Sequence, residues 1–227
     1  MYIADLEEKN VKLSYWIHHY QNFVLVGQGG SGKSEFSLAL AGSIPAGGYF
    51  LDLDQTKAIF RSRDYQKEIP QFRFESGLSF LDSPTVPAQM KDRISDSKKL
   101  ILDVPADNKG LVLLGQVAEE LRISSSCVFL MLNPYRDSLH VEQSFFQQMD
   151  AVEHFLPGLD VFFVANPNMG SQTTRELAQE GFEKVKEILK KRNQAPCFAL
   201  IDETIGGDGE EWIPIKIHFA RSIDSTA

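Results

Sequence analysis

One stretch, Gly27-Gln28-Gly29-Gly30-Ser31-Gly32-Lys33-Ser34, constrains the fold more than any other part of the chain. The apolar run Phe23-Val24-Leu25-Val26 precedes it, and the helix-compatible run Glu35-Phe36-Ser37-Leu38-Ala39-Leu40-Ala41 follows. G-x-x-x-x-G-K-[ST] at the turn from a strand into a helix is the pattern of a phosphate-binding loop. Its glycines let backbone N–H groups close around phosphate oxygens. The helix that starts near Lys33 directs its positive dipole end at the same anion. The Lys33 ammonium can reach the β- and γ-phosphates, and the Ser34 hydroxyl can ligate Mg²⁺. The expected nucleotide-binding set is Gly27, Gln28, Gly29, Gly30, Ser31, Gly32, Lys33, Ser34 and Glu35. A glycine-rich turn with a chance Lys-Ser explains less, because both the spacing and the flanks fit.

Beyond the loop, apolar strand patterns alternate with helical ones. Strands are predicted over 49–54, 99–104, 127–132, 159–165 and 197–202, and helices over 86–96, 109–121, 138–152 and 171–193. A polar, helix-compatible stretch covers Gln55 to Lys67, whereas residues 70–84, with their Pro, Gly and Ser, read as irregular. Strands alternating with helices imply a mostly parallel sheet covered on both faces, a single three-layer α/β/α domain. The final run, Ile213-Pro214-Ile215-Lys216-Ile217-His218-Phe219, alternates strictly and contains a proline, which predicts an antiparallel edge strand. Residues 1–22 form an N-terminal extension, expected to be helical because Leu13, Trp16, Ile17 and Tyr20 share one stripe. That stripe suits packing on the domain edge or a partner-contacting arm. Residues 23–227 form the main domain; no internal repeat or composition break divides it.

Composition narrows the partners. An excess of 31 acidic over 23 basic side chains leaves a formal charge of −8, which argues against non-specific nucleic-acid binding as the main activity. Cys127 and Cys197 fall in apolar strands and form no C-x-x-C pair, so a reducing compartment is expected. No run is long and apolar enough for a membrane span, and the first residues carry no secretion signal, so the expected location is cytoplasmic. The histidines show no metal-ligand spacing.

In an open α/β sheet the site lies beyond the carboxyl ends of the strands. The second strand ends in Asp52 and Asp54, the third in Asp103, the fourth in Asn133-Pro134 and the fifth in Asn166-Pro167. Asp103 can hold a Mg²⁺-bound water. Alternation puts Asp52 and Asp54 on one side of their strand, one to support the metal shell and the other to position an attacking water. The Asn166 amide can donate to and accept from an adenine edge, although Asn-Pro also forms turns.

These residues carry a family resemblance. Gly27 to Ser34 resembles the deviant Walker motif G-K-G-G-x-G-K-[ST] of the MinD/ParA group of ATPases, within the SIMIBI class of P-loop proteins. Asp52-Leu53-Asp54-Gln55 is similar to that group's D-x-D segment and Asp103-Val104-Pro105-Ala106 to its D-x-P-A switch segment. Leu132-Asn133-Pro134 and Ala165-Asn166 match its later strand ends. The resemblance implies an ATP- and Mg²⁺-dependent switch on a P-loop NTPase fold, with slow hydrolysis to ADP and a nucleotide-dependent homodimer. It also implies an adaptor or cargo protein, in the positioning or partition of plasmid or cellular cargo. Residue by residue, it gives Lys33 phosphate binding and catalysis, Ser34 and Asp52 the metal, Asp54 hydrolysis, Asp103 the switch and metal shell, and Asn166 adenine. The group's additional lysine is replaced by Gln28, which has no charge to offset a developing negative one. Lys57 or Arg61 could substitute.

A basic cluster on the last predicted helix, Lys184, Lys186, Lys190, Lys191 and Arg192, invites a DNA-binding reading. Interleaved Glu180, Glu183 and Glu187 make a solvated, charge-paired face the better one. The chain lacks a terminal amphipathic helix, so no membrane contact by that route is expected. Two other functions share the fold. One is a small-molecule kinase or ATP-dependent synthetase with residues 70–87 as a substrate lid; the other is a non-hydrolysing, nucleotide-gated interaction module.

Overall fold

The computed structural model describes residues 13–53, 62–76, 86, 88–105, 108–136, 139–206 and 209–217. Eight strands form one sheet: β1 (Asn22–Gly27), β2 (Gly48–Asp52), β3 (Phe72–Ser76), β4 (Lys99–Asp103), β5 (Ser126–Leu132), β6 (Asp160–Ala165), β7 (Pro196–Asp202) and β8 (Trp212–Ile215). Their order is β3-β2-β4-β1-β5-β6-β7-β8, and every pairing is parallel. The helices are α1 (residues 13–19), α2 (Lys33–Gly42), α3 (Ala88–Ile94), α4 (Asn108–Gly115), α5 (Ala118–Ile123), α6 (Val141–Phe155) and α7 (Arg175–Lys190).

The period-2 geometry of a strand divides the core in two. Val24 and Val26 of β1 join one cluster with Met90 of α3, Leu114 of α4, Leu121 of α5, Phe145 of α6 and Val185 of α7. Phe23 and Leu25 face the other side, where α1 and α2 contribute Leu13, Phe36, Leu38 and Leu40. There Trp16 meets Phe129, Phe162 and Phe198 edge-on, with ring centroids 5.9, 5.7 and 5.1 Å apart. Each such pair contributes roughly 0.5–1.5 kcal/mol beyond burial, so the stripe on α1 is packed against the sheet.

Three expectations are corrected. The last strand is an edge strand, as its proline requires, but it runs parallel to β7, with Ala199 opposite Trp212 and Asp202 opposite Ile215. The link over 203–211 is too long for a tight hairpin, and it needs to return the chain by only about 10 Å to start β8. The segment read as irregular contains β3. In Phe72-Arg73-Phe74-Glu75 the rings lie on the α2 side of the sheet, Phe74 stacking on Phe50 at 4.6 Å, while Glu75 accepts from Arg93 at 2.9 Å. This local alternation outweighs the flanking Pro70 and Gly77. The helix expected over 109–121 is two, α4 ending at Gly115 and α5 starting at Ala118.

Candidate nucleotide site

β1 lies between β4 and β5, and the chain leaves it toward β2 on one side and reaches β5 on the other. The crevice at its carboxyl end is therefore the place for a ligand. Gly27 ends the strand, and Gly32 caps α2 with φ 92° and ψ 14°. A Cβ at Gly32 would lie 2.0 Å from Asn166 Nδ2, so both conformation and space demand glycine there. The N-cap is a glycine, which offers no side-chain oxygen to the first turn of α2, and that turn opens at the crevice. Lys33, 5% exposed, curls back over the loop and donates to Gly27 O at 2.8 Å and Gln28 O at 2.9 Å. Ser34, also buried, follows on the same turn.

To the β4 side stand the acids. Asp52 and Asp103 are register partners on adjacent strands, which puts their Cα atoms about 4.8 Å apart. Asp52 shares strand parity with Phe50, and Asp103 with Ile101, so both lie on the α2 face. Asp103 is 0% exposed and accepts from Ser62 Oγ at 3.2 Å. Burying two carboxylates this close is costly unless donors or a cation meet them. Among the described residues no group of three or more His, Cys, Asp or Glu could hold a metal. The donor set fits Mg²⁺ all the same, since that ion commonly binds through one or two carboxylates and substrate phosphates. Asp54, Lys57 and Arg61 lie outside the described residues.

To the β5 side stand amides. Asn166, 5% exposed, donates from Nδ2 to Ser31 O at 2.8 Å, which ties the end of β6 to the loop. Its Oδ1 is buried and accepts no hydrogen bond among the described residues. Asn166 thus supports the loop with one end of its amide and keeps an acceptor for another contact. Asn133 donates to Asn168 O at 2.8 Å and accepts from the Tyr135 N–H at 2.9 Å, a turn-building role. Arg136 Nε donates to Gly30 O at 3.1 Å. Sequence reasoning missed Arg136 as a site residue; its one signal is its place just after a strand that ends in Asn-Pro. Ser62 carried no signal.

Gln28 turns away from the crevice: its Nε2 donates to Ser144 Oγ on α6. The two residues border a cavity of about 500 Å³, which Pro105, Leu111, Gln147 and Gln148 also line. The basic cluster on α7 is largely charge-paired. Lys186 meets Glu183 at 2.9 Å, Lys191 pairs with Glu142, and Arg192 with Asp150. Both cysteines are free, and burial raises both thiols, Cys197 to about 12. No helix among the described residues is long and apolar enough to cross a membrane.

No protein-family model matches the chain, and no curated protein matches it. Among solved structures it is similar to the signal recognition particle receptor FtsY from Elizabethkingia anophelis, in a complex with GDP. The TM-score is 0.53 with 14% identity, over 97% of this chain and 70% of that one. The chain has a P-loop NTPase fold. A second similar structure is the hydrogenase maturation factor HypB from Archaeoglobus fulgidus, at TM-score 0.32 and 15% identity, over 71% of this chain and 88% of that one. The likeness reaches the level of the fold; kinship with the MinD/ParA group rests on the motifs alone.

Proposed function

We propose that the chain is a nucleotide-dependent switch that binds ATP with Mg²⁺ and hydrolyses it slowly. The observation that carries this reading is the pairing of Asp52 with Asp103 on the strands beside a phosphate loop whose Lys33 and Ser34 open α2. Backbone N–H groups and Lys33 would bind the phosphates. Ser34, Asp52 and Asp103 would hold Mg²⁺, which supplies charge neutralisation at the reacting phosphate. Asp54 is proposed to orient the attacking water. ATP is preferred over GTP in this reading because Asn133-Pro134-Tyr135-Arg136 stands where a guanine-reading N-K-x-D would be expected. The similar FtsY structure contains GDP, so competition between ATP and GTP for one labelled nucleotide is the direct test.

A phosphate-release assay with no second substrate tests the switch. Slow, Mg²⁺-dependent turnover is expected; turnover that starts only when a second substrate is added would transfer the protein to the kinase or synthetase class. The cavity beside Gln28 favours that second reading, because its volume suits a small-molecule acceptor next to the loop. Positioning or transfer of cargo through an adaptor is the finer role that the motifs support. For the homodimer, the Gln28–Ser144 contact favours a form in which residue 28 does not reach a partner's nucleotide. Sizing with an ATP analogue against ADP should show no shift in the native chain if dimerisation needs the missing lysine, and Gln28→Lys should introduce one.

A further inference from the structure

The turn after β5 sets a guanidinium on the phosphate loop. Its backbone is anchored at several points. The Asn133 amide bridges Asn168 O and the Tyr135 N–H, and the Arg136 N–H returns to Asn133 O at 3.3 Å. The Tyr135 hydroxyl donates to Leu177 O on α7, and its ring occupies the space left by Gly181. Arg136 is therefore an exposed side chain on a fixed base. Its Nε reaches Gly30 O at 3.1 Å, and a Cβ on Gly30 would lie 2.7 Å from that nitrogen and 2.8 Å from the guanidinium carbon. Glycine at 30, with φ 74°, is what admits the guanidinium.

Arginine has five N–H donors, and this contact uses one. Among the described residues no carboxylate pairs with Arg136, and no further acceptor meets its Nη atoms. A cation laid beside a ring of N–H groups and a helix N-terminus adds positive charge to a place already positive. An anion bound there would meet that charge directly. The sheet order says which part of the anion. Asp103, on β4, and Asp52, beyond it on β2, flank β1 on one side and mark the metal and the terminal phosphate. Arg136, from the end of β5, comes from the other side.

We propose that Arg136 binds the nucleotide, laying its Nη donors on the α-phosphate and ribose end, opposite the metal acids. This rests on the reading of the loop as a nucleoside-triphosphate site. The contact is shared by ATP and ADP, and it depends on the planar fork that lysine lacks.

The experiment is calorimetric titration of the full chain with MgATP and MgADP. Arg136→Ala and Arg136→Gln are expected to weaken both nucleotides alike, by about 10- to 100-fold, and Arg136→Lys to recover only part of that. Equal affinities in native and Arg136→Ala protein overturn the proposal. So does a loss confined to ATP, which would put the guanidinium on the γ-phosphate. If the native chain binds neither nucleotide, the reading of the loop fails first, and that result is distinct from native binding with an indifferent Arg136.

Discussion

On the β4 side of β1 the strand ends carry buried carboxylates, Asp52 and Asp103; on the β5 side they carry the amides of Asn133 and Asn166 and the guanidinium of Arg136. The two sides share parallel strand geometry, and they differ in charge. Acids repel phosphate unless a cation stands between, which is why the proposed function puts the metal on their side. Amides donate and accept without charge, which suits a base or a loop carbonyl. Under the proposed function the contrast would give a bound nucleotide a direction, with the reacting phosphate toward Asp103 and the base toward Asn166.

The largest effect is expected at the loop itself, which both sides share. Lys33→Ala removes a charged donor to two carbonyls and to phosphate, so nucleotide affinity should fall about 1000-fold, roughly 4 kcal/mol, by titration. Asp103→Asn separates the sides. It keeps an oxygen for Ser62 but loses the charge, and Mg²⁺-dependent turnover should drop about 100-fold. Nucleotide binding measured in excess chelator should change little; an equal loss there would break the assignment of a metal side. Asn166→Ala acts on the other side, where the loss should be the same with or without Mg²⁺. The donor to Ser31 O disappears, yet an unmatched Oδ1 leaves the interior as well. The net cost in urea unfolding should be about 1 kcal/mol.

The smallest effect lies away from both sides, at the thiols. Burial holds Cys127 and Cys197 protonated above the ordinary thiol range. The unfolded chain loses these protons first as pH rises, so stability should fall from about pH 8.5 toward 12. Cys197→Ala should flatten that slope, measured as the urea midpoint against pH.

Where one local pattern decides a feature, residue order alone exposed it. Gly27 to Ser34 occupies the turn that its spacing implies, and the apolar run ending at Asp103 is a central buried strand. Where two patterns compete, it did not. Phe72 and Phe74 alternate clearly enough, but the proline, glycine and serine around them hide a strand that pairs with β2 and stacks Phe74 on Phe50. The direction of β8 depends on where the 203–211 link travels, which the alternation of Ile213, Ile215 and Ile217 does not encode. Arg136 escaped for a third reason. Its contact with Gly30 spans more than a hundred residues and becomes visible only once β5 lies beside β1.

The most direct measurement is titration of the intact chain with MgATP beside the Lys33→Ala variant. The expected result is saturable heat from a single site in the native protein, displaced by ADP and nearly abolished in the variant. No heat from the native chain with ATP or GTP, or binding that survives Lys33→Ala unchanged, would contradict a phosphate-gripping loop at the end of β1.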